Sequence, residues 1–242
     1  ETGTYVVTVQ ADNLGAAGGY NLGLECVKPL GPVDGTLACG SLLSNTIDAP
    51  AEVDMFRFDG TAGSSVLLTL AHTSSWPLGR WARAILLAPD GSQLKNFGAN
   101  GQQMVSLPET GTYVVTVQAD NLGAAGGYNL GLECVKPLGP VDGILGCGST
   151  LTGSIDAPGE VDLFRFDGTA GSTSIFTLLH ITTWAPGRFV RATPIGPAAT
   201  PQADFGPNGT QLALSETGTY VLKIQADNLV ATGGYSIART CQ

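Results

Sequence analysis

The chain has 242 residues, of which 43% are hydrophobic and only 13% charged, with a formal net charge of −9 at pH 7. That balance leaves no basic surface to neutralise phosphates, which argues against a nucleic-acid partner, and no run reaches the roughly 18 apolar residues that a membrane-spanning helix needs. The 34 glycines and 14 prolines suit short strands and tight turns, and the length suits about two domains.

The first 35 residues, ETGTYVVTVQADNLGAAGGYNLGLECVKPLGPVDG, recur unchanged from Glu109, a period of 108 residues. A diverged third copy, ETGTYVLKIQADNLVATGGYSIARTC, starts at Glu216 after a one-residue deletion between Asn208 and Leu214. CGSLLSNTIDAPAEVDMFRFDGTAG from Cys39 likewise answers CGSTLTGSIDAPGEVDLFRFDGTAG from Cys147. The repeat divides the chain into the C-terminal hairpin and linker of an incomplete unit (1–38), complete units at 39–134 and 147–242, and a Pro/Gly linker at 135–146.

In residues 1–38, Tyr5, Val7 and Val9 and then Tyr20, Leu22 and Leu24 alternate with polar or smaller neighbours, the period of 2 of half-buried strands. The Gly-rich DNLGAAGG between them predicts a hairpin loop. A lone hairpin is marginal in water, so its partner strands are expected either ahead of it in a longer chain or in another molecule, which would make a polymer. The linker CVKPLGPVDG, with two prolines, is expected to be extended and stiff, spacing the domains. From Cys39 onward, strands are predicted at 53–58, 65–72, 81–88 and 104–107, separated by turns at Asp59-Gly60, Ala62-Gly63, Pro89-Asp90-Gly91 and Asn100-Gly101. Seven or eight short strands per unit predict an all-β protein of tandem jelly-roll-like β-sandwich domains.

The five cysteines occupy two repeat positions: Cys39 and Cys147 before the first strand, and Cys26, Cys134 and Cys241 after the last. Pairing within each unit would join Cys39 to Cys134 and Cys147 to Cys241, with Cys26 left for a partner in its own unit. Pairing across the linker would join Cys26 to Cys39 and Cys134 to Cys147. The spacings alone leave both open. Either framework implies an oxidising, extracellular or cell-surface setting, and no closely spaced C-x2-C pair suggests zinc.

EVDMFRFDGTAGSSVLLTL, APDGSQL, LPETGTYVVTVQA and GGYNLGL, in that order, resemble the bacterial pre-peptidase C-terminal domain. The resemblance covers both complete units and the N-terminal segment. It implies a jelly-roll-like sandwich, either appended to a secreted enzyme or strung in arrays on a surface protein, with relatives that bind collagen, polysaccharide or calcium and no catalytic residues of their own. The second unit departs from it, with GPAATPQ in place of APDGSQL.

One candidate patch is His72, Trp76, Arg80 and Arg83, repeated as His180, Trp184, Arg188 and Arg191. Aromatic and guanidinium groups at that spacing suit a sugar-stacking or subunit contact, or a Trp plug with Arg stems laid over it. Asp48, Glu52, Asp54 and Asp59 are the residues for a calcium site, with Glu52 and Asp54 repeated as Glu160 and Asp162; local turn hydrogen bonding is the competing role. Asp12 and Asn13, with copies Asp120, Asn121, Asp227 and Asn228, read as turn formers or oxygen ligands. Asn208-Gly209-Thr210 fits a glycosylation sequon. No Ser-His-Asp or Cys-His arrangement and no G-x-S-x-G elbow is present, so no enzyme activity and no cofactor beyond calcium is expected. The expected role is structural or adhesive, in an extracellular or cell-surface assembly or filament whose partners are copies of itself or neighbouring repeats. The alternative is a carbohydrate- or collagen-binding accessory module of a secreted bacterial enzyme.

Overall fold

A computed structural model describes residues 2–13 and 15–242; Glu1 and Leu14, which the predicted hairpin includes, lie outside the described residues. Every regular element among the described residues is a strand. The first sandwich runs through β1 (Gly35–Thr36), β2 (Ser41–Ile47), β3 (Val53–Gly60), β4 (Ser65–His72), β5 (Ala82–Leu87), β6 (Gln93–Gly98), β7 (Gly101–Ser106), β8 (Gly111–Ala119) and β9 (Gly126–Lys136). One of its sheets has the order β1-β3-β8-β5-β6 and the other β2-β9-β4-β7. The second sandwich runs through β10 (Gly143–Ile144), β11 (Thr150–Ile155), β12 (Asp162–Gly168), β13 (Thr173–His180), β14 (Val190–Ile195), β15 (Thr210–Ala213), β16 (Gly218–Ala226) and β17 (Gly233–Cys241). Its sheets are β10-β12-β16-β14 and β11-β17-β13-β15. A strand matching β6 is missing there: GPAATPQ carries Pro197 and Pro201, which cannot donate to a ladder, and only the bridges Ala192–Phe205 and Ile195–Pro201 remain.

The inward residues of facing sheets meet as period 2 demands. In the first core Phe56 and Phe58 from β3, Val115 and Val117 from β8, Leu68 and Leu70 from β4 and Leu130 and Leu132 from β9 interlock around the fully buried Tyr113 and Tyr128. Phe164, Phe166, Leu222, Ile224, Phe176, Leu178, Tyr220 and Tyr235 repeat this in the second. The disulfides are Cys39–Cys134 and Cys147–Cys241, with Cα atoms 5.2 and 5.5 Å apart; each ties the entry of a sandwich to its exit. Pairing across the linker does not occur, and Cys26, expected in the framework, is an exposed thiol.

Two expectations are overturned. TYVVTVQA and GYNLGLEC do not form a hairpin: their copies are β8 and β9, which lie in opposite sheets, so the loop between them arches across the end of the sandwich. Both strands find their ladder partners elsewhere, β8 on β3 and β5, β9 on β2 and β4. Accordingly, no strand forms among the described residues before Gly35, where no such neighbours are supplied. The linker, expected to hold the sandwiches apart, instead joins them. Val135, Leu138 and Val141 enter a hydrophobic cluster with Leu67 and Met104 of the first sandwich and Val161, Leu163, Ile195, Ala199 and Val221 around the second.

Candidate functional site

The aromatic and basic quartet is divided by the fold. Trp76 leaves the loop after β4, stacks on His72 with ring centroids 5.1 Å apart, and donates from Nε1 to the Gly127 carbonyl at 3.1 Å. A Cβ on Gly126 would lie 2.6 Å from the indole, so this glycine exists to seat the ring. His72 Nε2 accepts from the Ala82 amide at 3.2 Å, and burial lowers its pKa. The second sandwich repeats this: Trp184, 7% exposed, stacks on His180 at 5.2 Å, donates to Gly234 O and sits on Gly233. The tryptophan thus plugs the end of each sandwich under the arch, with the histidine stacked against it.

The arginines turn elsewhere. Arg80 pairs with Asp120 at 3.2 Å and Arg188 with Asp227 at 3.2 Å, joining two candidate groups that the sequence kept apart. The other carboxylate oxygens of Asp120 and Asp227 accept the amides of Trp81 and Phe189. Arg83 donates to Asn96, and Arg191 pairs with Asp204. Asn13, Asn121 and Asn228 accept amides two or three residues on, the role of turn formers. Asn208 is exposed in the turn before β15.

The calcium candidates are not gathered. Glu52 Oε2 accepts the amides of Asp48 and Ala49 at 2.5 and 2.7 Å, and Glu160 does the same for Asp156 and Ala157. Asp59 accepts from the Thr112 hydroxyl at 2.7 Å. Asp54 points into the sandwich, where the Tyr128 hydroxyl and Asn45 amide donate to it. Burial pushes its carboxyl up to about 6, and burial pushes that of Asp162, which accepts from Tyr235, up to about 7. Among the described residues no group of three or more His, Cys, Asp or Glu side chains is placed to hold a metal ion.

The most developed surface is the one between the sandwiches. Along β4, Val66, Leu68 and Leu70 face the core while Leu67, Thr69 and Ala71 face the second sandwich, so all seven residues from Ser65 to Ala71 are buried. The matching strand β13 has no sandwich on its outer face and alternates. Asn129 donates to the Pro158 carbonyl at 2.7 Å, and Lys223 Nζ to Gln102 Oε1 at 2.8 Å. Gly159, at φ +80°, brings its backbone so close that a Cβ would lie 3.0 Å from that of Ala71. Beside this contact is a cleft of about 360 Å³ lined by Glu133, Asp142, Glu160 and Asp162. Burial, then the nearby charges of Asp142 and Asp162, push Glu133 up to about 8, and burial lowers Lys223 to about 8. Two of the cleft carboxylates serve the backbone, Asp142 accepting the Leu163 amide and Glu160 its own turn. What this surface provides is an apolar contact between the two sandwiches.

The sequence did carry a signal for this surface. VLLTLA in β4 is nearly continuous in apolar character, the mark of a strand covered on both faces rather than one.

No family model matches the chain, and no curated protein matches it. Among solved structures it is similar to the CUB1-EGF-CUB2 domains of human MASP-1/3, at 12% identity over 82% of this chain and 99% of that one, with a TM-score of 0.24. It is similar at the same identity and TM-score to the CUB1-EGF-CUB2 domains of rat MASP-1, over 81% of this chain and 97% of that one. The third, tripeptidyl peptidase 2, is 9% identical over 84% of this chain and 23% of that one, with a TM-score of 0.27. At these scores the likenesses carry no argument about function.

Proposed function

We propose that the chain is a non-catalytic structural or adhesive component of an extracellular or cell-surface assembly, built from β-sandwiches that dock on one another. The observation that carries this reading is the apolar contact centred on Leu67, Val161, Leu163 and Val221, into which the linker itself is folded. A linker that served only as a tether would keep its apolar residues out of such a cluster. Two disulfides fit an oxidising compartment. Of the candidate polar groups, Glu52 and Glu160 serve their own turns, Arg80, Arg188 and Arg191 are in ion pairs, and His72 and His180 accept backbone amides. The resemblance to the pre-peptidase C-terminal domain supports the same setting.

Negative-stain electron microscopy of the native material, with and without reductant, tests this. Regular rods or fibres whose repeat matches one or two sandwiches, and which lose order on reduction, are expected. Isolated compact particles with no attachment to a surface or to each other would refute it.

A further inference from the structure

We infer that the contact between the sandwiches is one link of a directional series: the first sandwich carries a second, open copy of the docking face, which binds another sandwich of the same repeat, while the last sandwich ends the series. The inference rests on the reading of the chain as docked sandwiches and adds the partner and the polarity.

The open face is recognised by position. Pro158 and Gly159 of the second sandwich meet the first, and Leu229 is buried next to them, its carbonyl accepting the Gly159 amide; their repeat equivalents are Pro50, Ala51 and Leu122. The local geometry is the same in both: Gly159 donates to Leu229 O at 2.7 Å and Ala51 to Leu122 O at 2.7 Å, with Leu229 at φ 60° and Leu122 at φ 57°. Burial is not the same. Leu229 is 5% exposed and Leu122 is 45% exposed. Ala51 for Gly159 adds one methyl group in the same left-handed conformation, at φ 66° against 80°, which asks a sheet docked there to stand back by a few tenths of an ångström.

The occupant is identified by residues 2–26, whose sequence is that of β8 and β9. Tyr20, Leu22 and Leu24 are 69, 63 and 85% exposed, whereas Tyr128, Leu130 and Leu132 at the same repeat positions are 0, 0 and 2% exposed. This segment already touches the open face at the homologous point. Asn21 Nδ2 donates to the Pro50 carbonyl at 3.4 Å, as Asn129 does to Pro158, and a Cβ on Gly23 would lie 3.2 Å from Ala51 O. A sandwich completed around residues 2–26 would carry Asn21 and Gly23 on its outer sheet, where the first sandwich carries Asn129 and Gly131 for the second.

The opposite end has lost this complementarity. On the outer face of β11, β13, β15 and β17, the ladder places Ile175, Gln211 and Thr240 where the first sandwich has Leu67, Met104 and Glu133. Ser236 replaces Asn129 and removes the amide donor, Thr150 replaces Leu42, and Leu179 replaces Ala71. Ala71 lies against Gly159, so a leucine there blocks the close approach of the next turn. A polar or obstructed outer face is how terminal units of repeat proteins stop stacking.

The test is the full chain extended by a copy of residues 36–108 joined to Glu1, in repeat register. The expected result is that the Cys26 thiol disappears from titration because it pairs with the added copy of Cys39. Amide exchange around Leu122 should slow about tenfold or more, and solution scattering should show three sandwiches in one rigid particle. Leu122→Asp in the extended chain should restore fast exchange and inter-sandwich motion with the thiol still absent. A sandwich appended after Gln242 through a copy of residues 135–146 should fold and swing free. A lost thiol with unchanged exchange around Leu122 would overturn the docking inference and leave the array of sandwiches standing. A thiol that persists would overturn both. A rigidly docked appended unit would overturn the polarity.

Discussion

Tyr128 on β9 donates a hydrogen bond across the sandwich to the buried carboxylate of Asp54 on β3, 74 residues earlier, and Tyr235 does the same for Asp162 in the second sandwich. The pair joins the two sheets at the end where β3 begins. Tyr128→Phe removes the donor and leaves the carboxylate to Asn45 alone. A loss of about 1–3 kcal/mol in urea unfolding is expected at pH 8. The loss should shrink at pH 5, below the pKa of about 6 to which burial raises Asp54, because a neutral carboxyl tolerates burial better.

The plug reading of the tryptophans makes a stability prediction rather than a binding one. Trp184→Ala should cost about 3–5 kcal/mol, and Trp76→Ala, at a half-buried site, less than that. Gly126→Ala forces its methyl into the indole and should cost about 1–3 kcal/mol. Denaturant unfolding followed by fluorescence measures all three. A Trp76→Ala protein that is fully stable but loses a glycan or collagen ligand would instead favour a binding module.

Stability should rise on mild acidification, opposite to the behaviour of salt-bridged carboxylates. Glu133, Asp162 and Asp54 have pKa values raised by burial to about 8, 7 and 6. The folded chain therefore holds their protons more tightly than the unfolded chain, and their contribution grows as pH falls from about 8 toward the ordinary carboxylate range. Lys223, lowered to about 8, works only above that pH, where its neutral form is preferred. Thermal midpoints at pH 5 should exceed those at pH 8, and Glu133→Gln should flatten the upper part of the rise. Equal midpoints would count against burial of these groups.

Arg239 is buried where the first sandwich has Leu132, donating to Ser174 Oγ, Leu145 O and Asp167 O and lying 4.5 Å from the centroid of Phe166. Its neighbour Ser174 answers Val66. Arg239→Ala should cost about 3 kcal/mol through lost contacts and bonds. Ser174→Val with Arg239→Leu recreates the apolar environment of the first sandwich and should be neutral or stabilising by about 1–4 kcal/mol, since a buried charge is expensive to desolvate. Chemical denaturation of the two variants decides between these outcomes.

Much of the molecule was legible before any coordinates. The repeat, the alternation in FRF and YVVTV, the turn dipeptides and the two cysteine positions are local or periodic features. They indicate where most strands run, which side chains turn inward and that each unit is a sandwich with a cysteine at either end, because backbone pleat and turn chemistry act over a few residues; that the two cysteines of one unit pair with each other was decided by the structure. Alternation does not name a strand's neighbour. The same TYVVTV and YNLGL pattern serves a hairpin or an arch between opposite sheets, and only the ladder of β8 on β3 and of β9 on β4 chose the arch. Four residues, His72, Trp76, Arg80 and Arg83, follow one another at intervals of three or four along the chain, yet the fold sent the first two under the arch and the arginines to Asp120 and Asn96. The apolar run of β4 marks a strand covered on both faces, but that Val161 and Leu163 are what cover Leu67 was decided only by tertiary structure, since the covering surface is brought to it across the linker, a non-local term that no short window of sequence contains.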